Sequence, residues 1–396
     1  MHRETKHILA LAGIFACRML GLFMLIPVFT VYATHLAGAT PFWLGVTLGI
    51  YGLTQSLFQI PLGTLSDRLG RKPIIAFGLT LFVIGSFLGA LTHDVHWMML
   101  ARALQGTGAI GSALIALTTD LVREEKRASG MAIFGVLVGG SFALAMMLGP
   151  FVAESWGLSG IFYGSAGLGI LGIIILYTLP TPTPYSGVKP PVCHLIWENI
   201  RNKTLIRLDF GIFVQHAIFT ATFYAVPIIL AAHGVKNPGV FYLSILLGSF
   251  LLAYYLIKRA EKKGRLTEMS CIAIALLVVA QLGLCWGNAL WFVLVSLFVF
   301  FLGFNILEAS LPALVSKAAP AHAKGTALGL YSSAQFLGIF VGGMGAGVLS
   351  QHFHLSSVFM GGFAMAVLWL VWEWPYSFYR KSEKLKGSFL QKTDDI

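Results

Sequence analysis

Long apolar runs without charge recur along the whole chain. A bilayer core about 30 Å thick needs about 20 apolar helical residues, each rising 1.5 Å. Twelve runs meet this length, so the pattern predicts an all-α polytopic membrane protein with twelve transmembrane helices. The predicted spans are 8–33, 42–65, 73–92, 96–120, 130–153, 158–180, 207–232, 239–258, 269–287, 290–315, 325–350 and 355–376. The division between the ninth and tenth spans rests on Gly287 and Asn288 alone.

Composition excludes a water-soluble globule. Of 396 residues, 57% are hydrophobic and 11% are charged, whereas a soluble domain carries about 25% charged residues. The four cysteines show no CxxC spacing, which favours neither a disulfide framework nor a zinc site. We therefore expect no metal and no cofactor.

Basic residues predict the orientation of the chain. There are 27 Lys and Arg against 16 Asp and Glu, a net charge of +11. If both termini are cytoplasmic, 24 of the 27 lie in inner segments, Lys236 lies in an outer loop, and Arg18 and Arg102 lie inside spans. This bias is the one that orients short loops in membranes. The positive charge then faces an anionic lipid leaflet, and we do not expect nucleic acid as a partner.

Two six-helix halves are predicted, joined by a proline-rich linker. Five of the 15 prolines fall between residues 180 and 191, which indicates a semi-rigid segment. We expect a surface helix in its second part, 192–206, where apolar and charged residues mix. The predicted parts are an N-terminal bundle 1–180, a linker 181–206, a C-terminal bundle 207–378 and a basic cytoplasmic tail 379–396.

The two halves also resemble each other in sequence. A shift of 194 residues aligns Asp67 with Glu261, Gly70 with Gly264 and Arg71 with Arg265. Weak internal repetition of six plus six helices is typical of secondary transporters, whose binding site lies at the midplane between the halves.

The sharpest motif follows the second span: Gly63, Asp67, Arg68, Gly70, Arg71 and Lys72 in the segment GTLSDRLGRK. It resembles the loop motif of the major facilitator superfamily between helices two and three. The resemblance implies that Asp67 faces the N-terminus of the eleventh helix near Gly325, where the helix dipole favours an anion. It also implies that Arg71 and Asp120 complete a charge cluster that latches the inner gate. A merely basic turn would leave the Asp and both glycines unexplained.

Arg102 and Gln105, in the segment RALQGTG, resemble the fourth-helix motif of the same superfamily, whose Arg is often assigned to proton coupling. A guanidinium inside a span needs a carboxylate, a carbonyl or water, so Arg102 marks a polar path or snorkels to the outer surface. Gln105 and Ser112 on neighbouring turns favour the polar path.

Arg18 lies about 11 residues into the first span, near the middle of the bilayer. Exposing its charge to lipid would be costly, although snorkelling stays an alternative. On the favoured interpretation, the helical face of Arg18, Leu22, Leu25 and Phe29 lines a cavity with one cation on an apolar wall.

Gly140, Gly149 and Pro150 in the fifth span resemble a glycine-proline motif associated with antiporters. Glycine allows close helix packing, and proline removes a backbone hydrogen bond and bends the helix. The usual glycines after Pro150 are absent, which weakens the indication of antiport and leaves ordinary packing as an alternative.

The second half offers a membrane carboxylate. Asn305 and Glu308 share a face of the tenth span. Burial favours the protonated form of a carboxylate, which suits a proton carrier, while an ion pair with Arg18 or Arg102 would make Glu308 structural. His216 in the seventh span is either a satisfied core histidine or a proton sensor. Asp209 either caps the start of that helix or joins the polar path.

Five segments resemble the YajR-type branch of the superfamily, a group regarded as proton-driven drug-efflux proteins. They are RMLGLFM (18–24), GIYGLTQ (49–55), GTGAI (106–110), NILEASLP (305–312) and KGTA (324–327). Members commonly carry a small soluble domain after the last helix. Only about 18 residues follow Phe378, so we do not expect that domain here.

Together these features predict a secondary active transporter of a bacterial inner membrane, not an enzyme. We expect a monomeric proton-coupled antiporter that exports amphipathic small molecules by alternating access. A proton symporter or facilitator for a small metabolite would use the same scaffold. A membrane enzyme or receptor would need paired His or Asp clusters or a ligand-binding extension, and neither is visible.

Overall fold

The computed structural model describes residues 2–181, 192–287, 289–320 and 322–393, and the fold is all-helical. The helices, together with one short 3-10 turn at Ala33–His35, follow one another directly along the chain. They are α1 His2–Phe23, α2 Phe29–Tyr32, α3 Pro41–Leu69, α4 Arg71–Leu91, α5 Val95–Thr107, α6 Gly111–Leu121, α7 Glu124–Thr178, α8 Val192–Arg201, α9 Lys203–Ala232, α10 Gly239–Lys262, α11 Leu266–Trp286, α12 Leu290–Ala318, α13 Lys324–His352 and α14 Ser356–Thr393.

Ten helical segments among the described residues are long and apolar enough to cross a membrane. Helix α3 is not one of the ten, although it has 29 residues, and it carries the buried polar residues Thr47, Gln55 and Gln59. Helix α7 counts once but covers the predicted fifth and sixth spans, which meet at Gly157 with a φ of 62°. A polytopic membrane fold is therefore confirmed, while twelve spans and cytoplasmic termini stay predictions.

The first predicted span is not one continuous helix. Helix α1 ends at Phe23, and the chain resumes as α2 only at Phe29. Pro27 lies in this interval, where its missing N–H and its ring oppose a regular helix. The predicted helical face from Arg18 to Phe29 is therefore interrupted after Phe23. Arg18, Leu22, Leu25 and Phe29 are all buried, and that they line a cavity stays a prediction.

The fourth predicted span is also broken, between α5 and α6. Gly108 ends α5 with ψ at 43°, outside the helical region. Both glycines before the break allow close packing: a Cβ at Gly106 would clash with the Tyr51 carbonyl oxygen, and one at Gly108 with the Gly78 carbonyl oxygen. Close contact with α3 and α4 therefore accompanies the break.

A helix forms in the second part of the linker, but it is shorter than predicted, and its place on the membrane surface stays a prediction. Helix α8 ends at Arg201 because the Asn202 side chain caps α9, accepting from the Thr204 and Leu205 N–H groups at 3.0 and 3.4 Å. Since α9 begins at Lys203, Asp209 is its seventh residue, so the expectation that it caps this helix is wrong.

Some predicted features lie outside the described residues. These are residues 182–191, which hold four of the five linker prolines, together with Asn288 and the last three residues of the tail. The rest of the predicted tail continues α14 as a helix to Thr393.

Two compact units divide the chain by contacts: residues 1–244 with 315–358, and residues 245–314 with 359–396. The first unit therefore contains α13 beside α1 to α9, a division that differs from the predicted halves 1–180 and 207–378. That two-half organisation stays a prediction.

Within the first unit, α3 and α13 pack backbone to backbone along part of their length. A Cβ at Gly45 would clash with the Gly343 carbonyl oxygen, and one at Gly52 with the Phe336 carbonyl oxygen. Farther along, Ser56 Oγ donates to the Ser333 carbonyl oxygen at 2.9 Å. Small residues at such an interface let helix backbones approach in a membrane. We call this contact the α3–α13 zipper.

Candidate functional site

Arg18 is fully buried in the first unit, with 0% of its surface exposed. Its Nη2 donates to Gln55 Oε1 at 2.7 Å and to the Gln105 carbonyl oxygen at 3.3 Å. That carbonyl lies in the last turn of α5, where the break before α6 leaves oxygens without helical N–H partners. Arg18 therefore caps the negative end of α5, and snorkelling to the membrane surface is excluded.

Tyr51 and Gln55 hold Arg18 from α3, where they lie one helical turn apart. The Tyr51 hydroxyl donates to Gln55 Oε1 at 2.8 Å, so this oxygen accepts hydrogen bonds from both Tyr51 and Arg18. Gln55 Nε2 donates in turn to Gln59 Oε1 at 3.4 Å. This chain fixes the amide of Gln55 with its oxygen toward the cation.

Arg102 is also buried, with 4% of its surface exposed, so it does not reach the membrane surface either. Its Nη1 donates to Gln105 Oε1 at 2.7 Å, and Gln105 Nε2 donates to Ser86 Oγ at 2.8 Å. The guanidinium carbon lies 5.0 Å from the centre of the Tyr51 ring, and that of Arg18 lies 5.8 Å from the same centre. Two cations thus share one aromatic ring, an arrangement stabilised by its quadrupole.

These two cations have no carboxylate partner in the described part of the chain. Among the described residues neither arginine forms an ion pair, and Arg18 Nε, Arg18 Nη1 and Arg102 Nε have no hydrogen-bond partner. Each buried ion costs several kcal/mol unless it is compensated. Arg18, Tyr51, Gln55, Arg102 and Gln105 therefore form a centre of positive charge that no described carboxylate balances, which we call the cation centre.

Aromatic and polar side chains from five helices surround this centre in a closed circuit of contacts. The circuit passes from α1 to α3, α13, α9 and α7 and back to α1, all within the first unit. In order, its contacts are Arg18 to Tyr51 at 5.8 Å, Tyr51 to Phe336 at 6.0 Å, Gln335 to His216 at 2.8 Å, Phe219 to Phe142 at 5.9 Å and Phe142 to Phe23 at 5.1 Å. The aromatic contacts are measured between ring centres.

His216 is buried within this circuit and meets a polar partner at each ring nitrogen. Its Nδ1 lies 3.3 Å from the Ile212 carbonyl oxygen, which can only accept, so Nδ1 carries the proton. Nε2 then accepts from Gln335 Nε2 at 2.8 Å. This geometry is that of a satisfied core histidine, and a sensing role stays a prediction.

The predicted gate motif forms a compact ionic cluster. Gly70 has a φ of 95° and makes the tight turn between α3 and α4. At the start of α4, Arg71 contacts Asp67 at 2.5 Å, Asp120 at 3.1 Å and the Ser66 hydroxyl at 2.7 Å. We call Ser66, Asp67, Arg71 and Asp120 the gate cluster. Arg68 and Gly63 belong to the same stretch, with Arg68 exposed and Gly63 close to Ser112.

The predicted contact of Asp67 with the start of α13 stays a prediction. Gly325 is exposed, and a Cβ placed there would have open space around it. The residue before α13, Ala323, provides no side-chain cap for its N–H groups. The first turn of α13 therefore keeps donors that an anion could use.

In the second unit, Asn305 and Glu308 are half-buried on α12. Asn305 Nδ2 donates to Ser249 Oγ at 3.1 Å, which ties α12 to α10. The role of Glu308 as a proton carrier stays a prediction.

The glycine-proline motif is only partly a packing element. Gly140 is exposed and has open space where a Cβ would be, so close packing at Gly140 is wrong. Gly149 does pack closely, because a Cβ there would clash with the Met24 carbonyl oxygen. Pro150 lies inside α7, whereas the non-helical residue is Gly157.

Sequence reasoning assigned no role to Tyr51, Gln55 or Gln335. The available signal was a Tyr and a Gln four residues apart in an apolar span, which places two polar groups on one helix face. Gln335 gives no such local signal, since its partner His216 lies on another helix.

Comparison with known proteins gives consistent matches. The profile of the Major Facilitator Superfamily matches residues 11–343 and 239–392. The chain is 40% identical over 380 residues to the inner membrane transport protein YajR of Escherichia coli strain K12, covering 93% of this chain and 82% of that protein. It is 28% identical over 347 residues to the quinolone resistance protein NorA of Staphylococcus aureus strain Mu50, covering 83% and 86%.

Solved transporter structures share the fold. A variant of the nucleoside transporter NupG superposes with a TM-score of 0.76 at 14% identity, covering 93% of this chain and 99% of that chain. A D-xylose-proton symporter superposes with a TM-score of 0.74 at 16% identity, covering 93% and 97%.

Proposed function

The chain belongs to the major facilitator superfamily of membrane transporters and is not an enzyme, and we propose that it is a proton-coupled antiporter exporting amphipathic small molecules. The observation that carries the proposal is the cation centre inside a circuit of five helices of the first unit. Charge buried at this depth is costly and marks a solute or ion path in membrane proteins. The aromatic members of the circuit add the apolar surface that an amphipathic solute needs.

Two relatives support the proposed direction of transport, and the distribution of basic residues supports the proposed orientation in the membrane. One relative is an inner membrane transport protein, and another is a quinolone resistance protein. Export of an amphipathic solute across a bacterial inner membrane fits both. The sorting of 24 basic residues to one side supports cytoplasmic termini.

Alternating access would use the two ends of α3. With cytoplasmic termini, the α3–α13 zipper lies toward the outside and the gate cluster toward the cytoplasm. Rocking of the halves 1–180 and 207–378 would open the zipper and bring Asp67 to the uncapped start of α13. The helix dipole there favours the carboxylate, so Asp67 would latch the inner gate in the outward-open state.

Inward proton movement would drive the export. Each charge that crosses gains about 2.3 kcal/mol per 100 mV of membrane potential. We assign the proton to Glu308, the half-buried carboxylate of α12, and the polar path to Arg102, Gln105 and Ser86.

The experiment is flux in proteoliposomes with an imposed pH gradient. The fluorescent quinolone norfloxacin serves as the amphipathic probe, because it bears both an apolar ring and charged groups. We expect accumulation against its gradient that stops when an ionophore collapses the pH difference. Flux that is unaffected by the ionophore would reject proton coupling, and a Glu308→Gln variant with unchanged pH response would reject the proton assignment.

A further inference from the structure

The cation centre is incomplete without an anion. Two guanidinium groups lie over one Tyr51 ring, and no described carboxylate pairs with either of them. We propose that the cation centre binds the carboxylate of an aromatic acid, so that the exported solute is an amphipathic anion. This inference rests on the proposed transport function and names the chemical class of its solute.

The donors that would hold a carboxylate are already oriented. Arg18 Nη2 is fixed by Gln55 and Gln105, and Arg102 Nη1 is fixed by Gln105. The remaining donors Arg18 Nε, Arg18 Nη1 and Arg102 Nε are buried and have no partner. A guanidinium fork matches the two oxygens of a carboxylate, so a bound carboxylate would satisfy donors that now have none.

Compensation from the protein itself is partial. Arg18 faces the end of α5, which contributes only a fraction of a negative charge. The Tyr51 ring contributes a quadrupole and no net charge. The amides of Gln55 and Gln105 accept hydrogen bonds but are neutral. A full negative charge is therefore the chemistry that the centre lacks.

The aromatic residues around the cation centre indicate which kind of group is attached to the carboxylate. Phe336 meets the Tyr51 ring edge to face, and Phe23, Phe142 and Phe219 continue the aromatic wall of the circuit. Such a wall suits a flat apolar group rather than a hydrated inorganic ion. Because both arginines are buried in this conformation, binding requires the circuit to open, as alternating access does.

Thermal unfolding of the full-length protein in detergent tests the proposal with three matched probes. They are 2-naphthoate, 2-naphthylmethanol and 2-naphthylmethylammonium, which share a ring and differ in charge. We expect saturable stabilisation by naphthoate. The apparent affinity of the neutral and cationic probes should be at least about tenfold weaker, because each would lose at least one charge-assisted hydrogen bond. Sodium chloride at the same ionic strength distinguishes the aromatic carboxylate from a simple anion.

Variants assign the effect to the centre. Arg18→Gln and Arg102→Gln should each weaken naphthoate stabilisation at least about tenfold relative to the melting temperature of the same unliganded variant. Arg259→Gln, which removes an exposed cation near the end of α10, is the matched control and should bind as the parent does. Arg18→Lys keeps the charge but loses the fork, and should fall between the two.

Several outcomes would overturn the inference. They are equal stabilisation by all three probes, stabilisation by none, an equal effect of chloride, or naphthoate binding that both arginine variants retain. Binding is read without flux, so failed proton coupling in proteoliposomes together with selective naphthoate binding would reject the antiport mechanism and keep the anion site.

Discussion

The cation centre and the gate cluster show two ways in which one protein holds buried or half-buried arginine. In the gate cluster, Arg71 meets two carboxylates and a hydroxyl at the end of α3. In the cation centre, Arg18 and Arg102 meet amides, a carbonyl and a ring, but no described carboxylate. Helix α3 contributes to both regions, through Gln55 in one and Asp67 in the other.

The presence or absence of a carboxylate partner distinguishes an arginine with a structural role from an arginine with a role in binding or transport. An arginine with its own carboxylates is complete, and its role is to join the helices that carry them. An arginine that is buried without a counter-ion reduces stability, so its retention points to a ligand or an ion. This contrast makes opposite predictions for stability and transport in the two regions.

The largest effect is expected from Arg18→Gln. Transport should fall at least about tenfold, since a charged hydrogen bond contributes about 1.5–3 kcal/mol. The melting temperature should hold or rise, because burying the Arg18 charge without a carboxylate costs several kcal/mol, which a neutral amide avoids. Norfloxacin flux and thermal unfolding of the same preparation measure both. A variant that unfolds easily would show that Arg18 is structural and would erase the contrast with Arg71.

A second test blocks the α3–α13 zipper, which occupies the same part of α3 as Tyr51 and Gln55 of the cation centre. In Gly52→Val the new Cβ would clash with the Phe336 carbonyl oxygen, so α3 and α13 cannot close. We expect several-fold slower transport in a protein that still folds, because Val is a better helix former than Gly. The control is Gly139→Val on α7, where a Cβ has open space. Equal rates in the two variants would remove the zipper from the mechanism.

A third test weakens the gate cluster. Asp67→Asn and Asp120→Asn each remove one of two carboxylates from Arg71. Because partly exposed ion pairs contribute about 0.2–1 kcal/mol, each should lower the melting temperature slightly. Only Asp67→Asn should also slow transport, by a few-fold, since Asp67 alone is proposed to reach α13. Identical transport in the two variants would contradict that latch.

The smallest effect concerns Asp94, a carboxylate that accepts from two backbone N–H groups and lies 3.3 Å from the His96 ring nitrogen Nδ1. It caps α5, accepting from the His96 and Trp97 N–H groups at 2.8 and 3.3 Å. The His96 N–H above all keeps the pKa of Asp94 below its ordinary value of 3.8. The contribution of the Asp94 carboxylate to the stability of the fold is therefore complete at a pH above 3.8 and is lost as the pH falls through the lowered pKa.

Asp94→Ala should thus lower the melting temperature slightly near neutral pH and leave transport unchanged. The difference from the parent should vanish in acid, once Asp94 is protonated in both states. A difference that persists at the lowest pH would show that the carboxylate charge is not the cause.

Much of the fold was predictable from the apolar runs, because a bilayer leaves few alternatives to long helices. The breaks at Pro27 and Gly108 were missed, although proline and paired glycines were visible in the sequence. The exposure of Gly140 was also unpredictable, because a glycine for packing and a glycine facing outward look alike in one sequence.

The cation centre was predictable only in part. Arg18 and Arg102 stood out because no loop accounted for them. Tyr51, Gln55 and Gln335 did not, since their partners lie on other helices and depend on how α3, α9 and α13 pack. Helix pairing across a bundle leaves little local signal. Asp67 and Arg71 of the gate cluster were found because they adjoin a single turn, whereas Asp120 on α6 was implied only by the family resemblance.

The most direct test of the transport account is the proton movement that follows substrate addition. Proteoliposomes in weakly buffered medium would receive norfloxacin on one side while a pH electrode or dye reads that same side. Antiport predicts that protons leave the vesicles as norfloxacin enters, so the medium acidifies, and that Arg18→Gln abolishes the signal. Alkalinisation of the medium would indicate symport, and norfloxacin entry without any pH change would indicate facilitated diffusion; either result would contradict the proposed exchange.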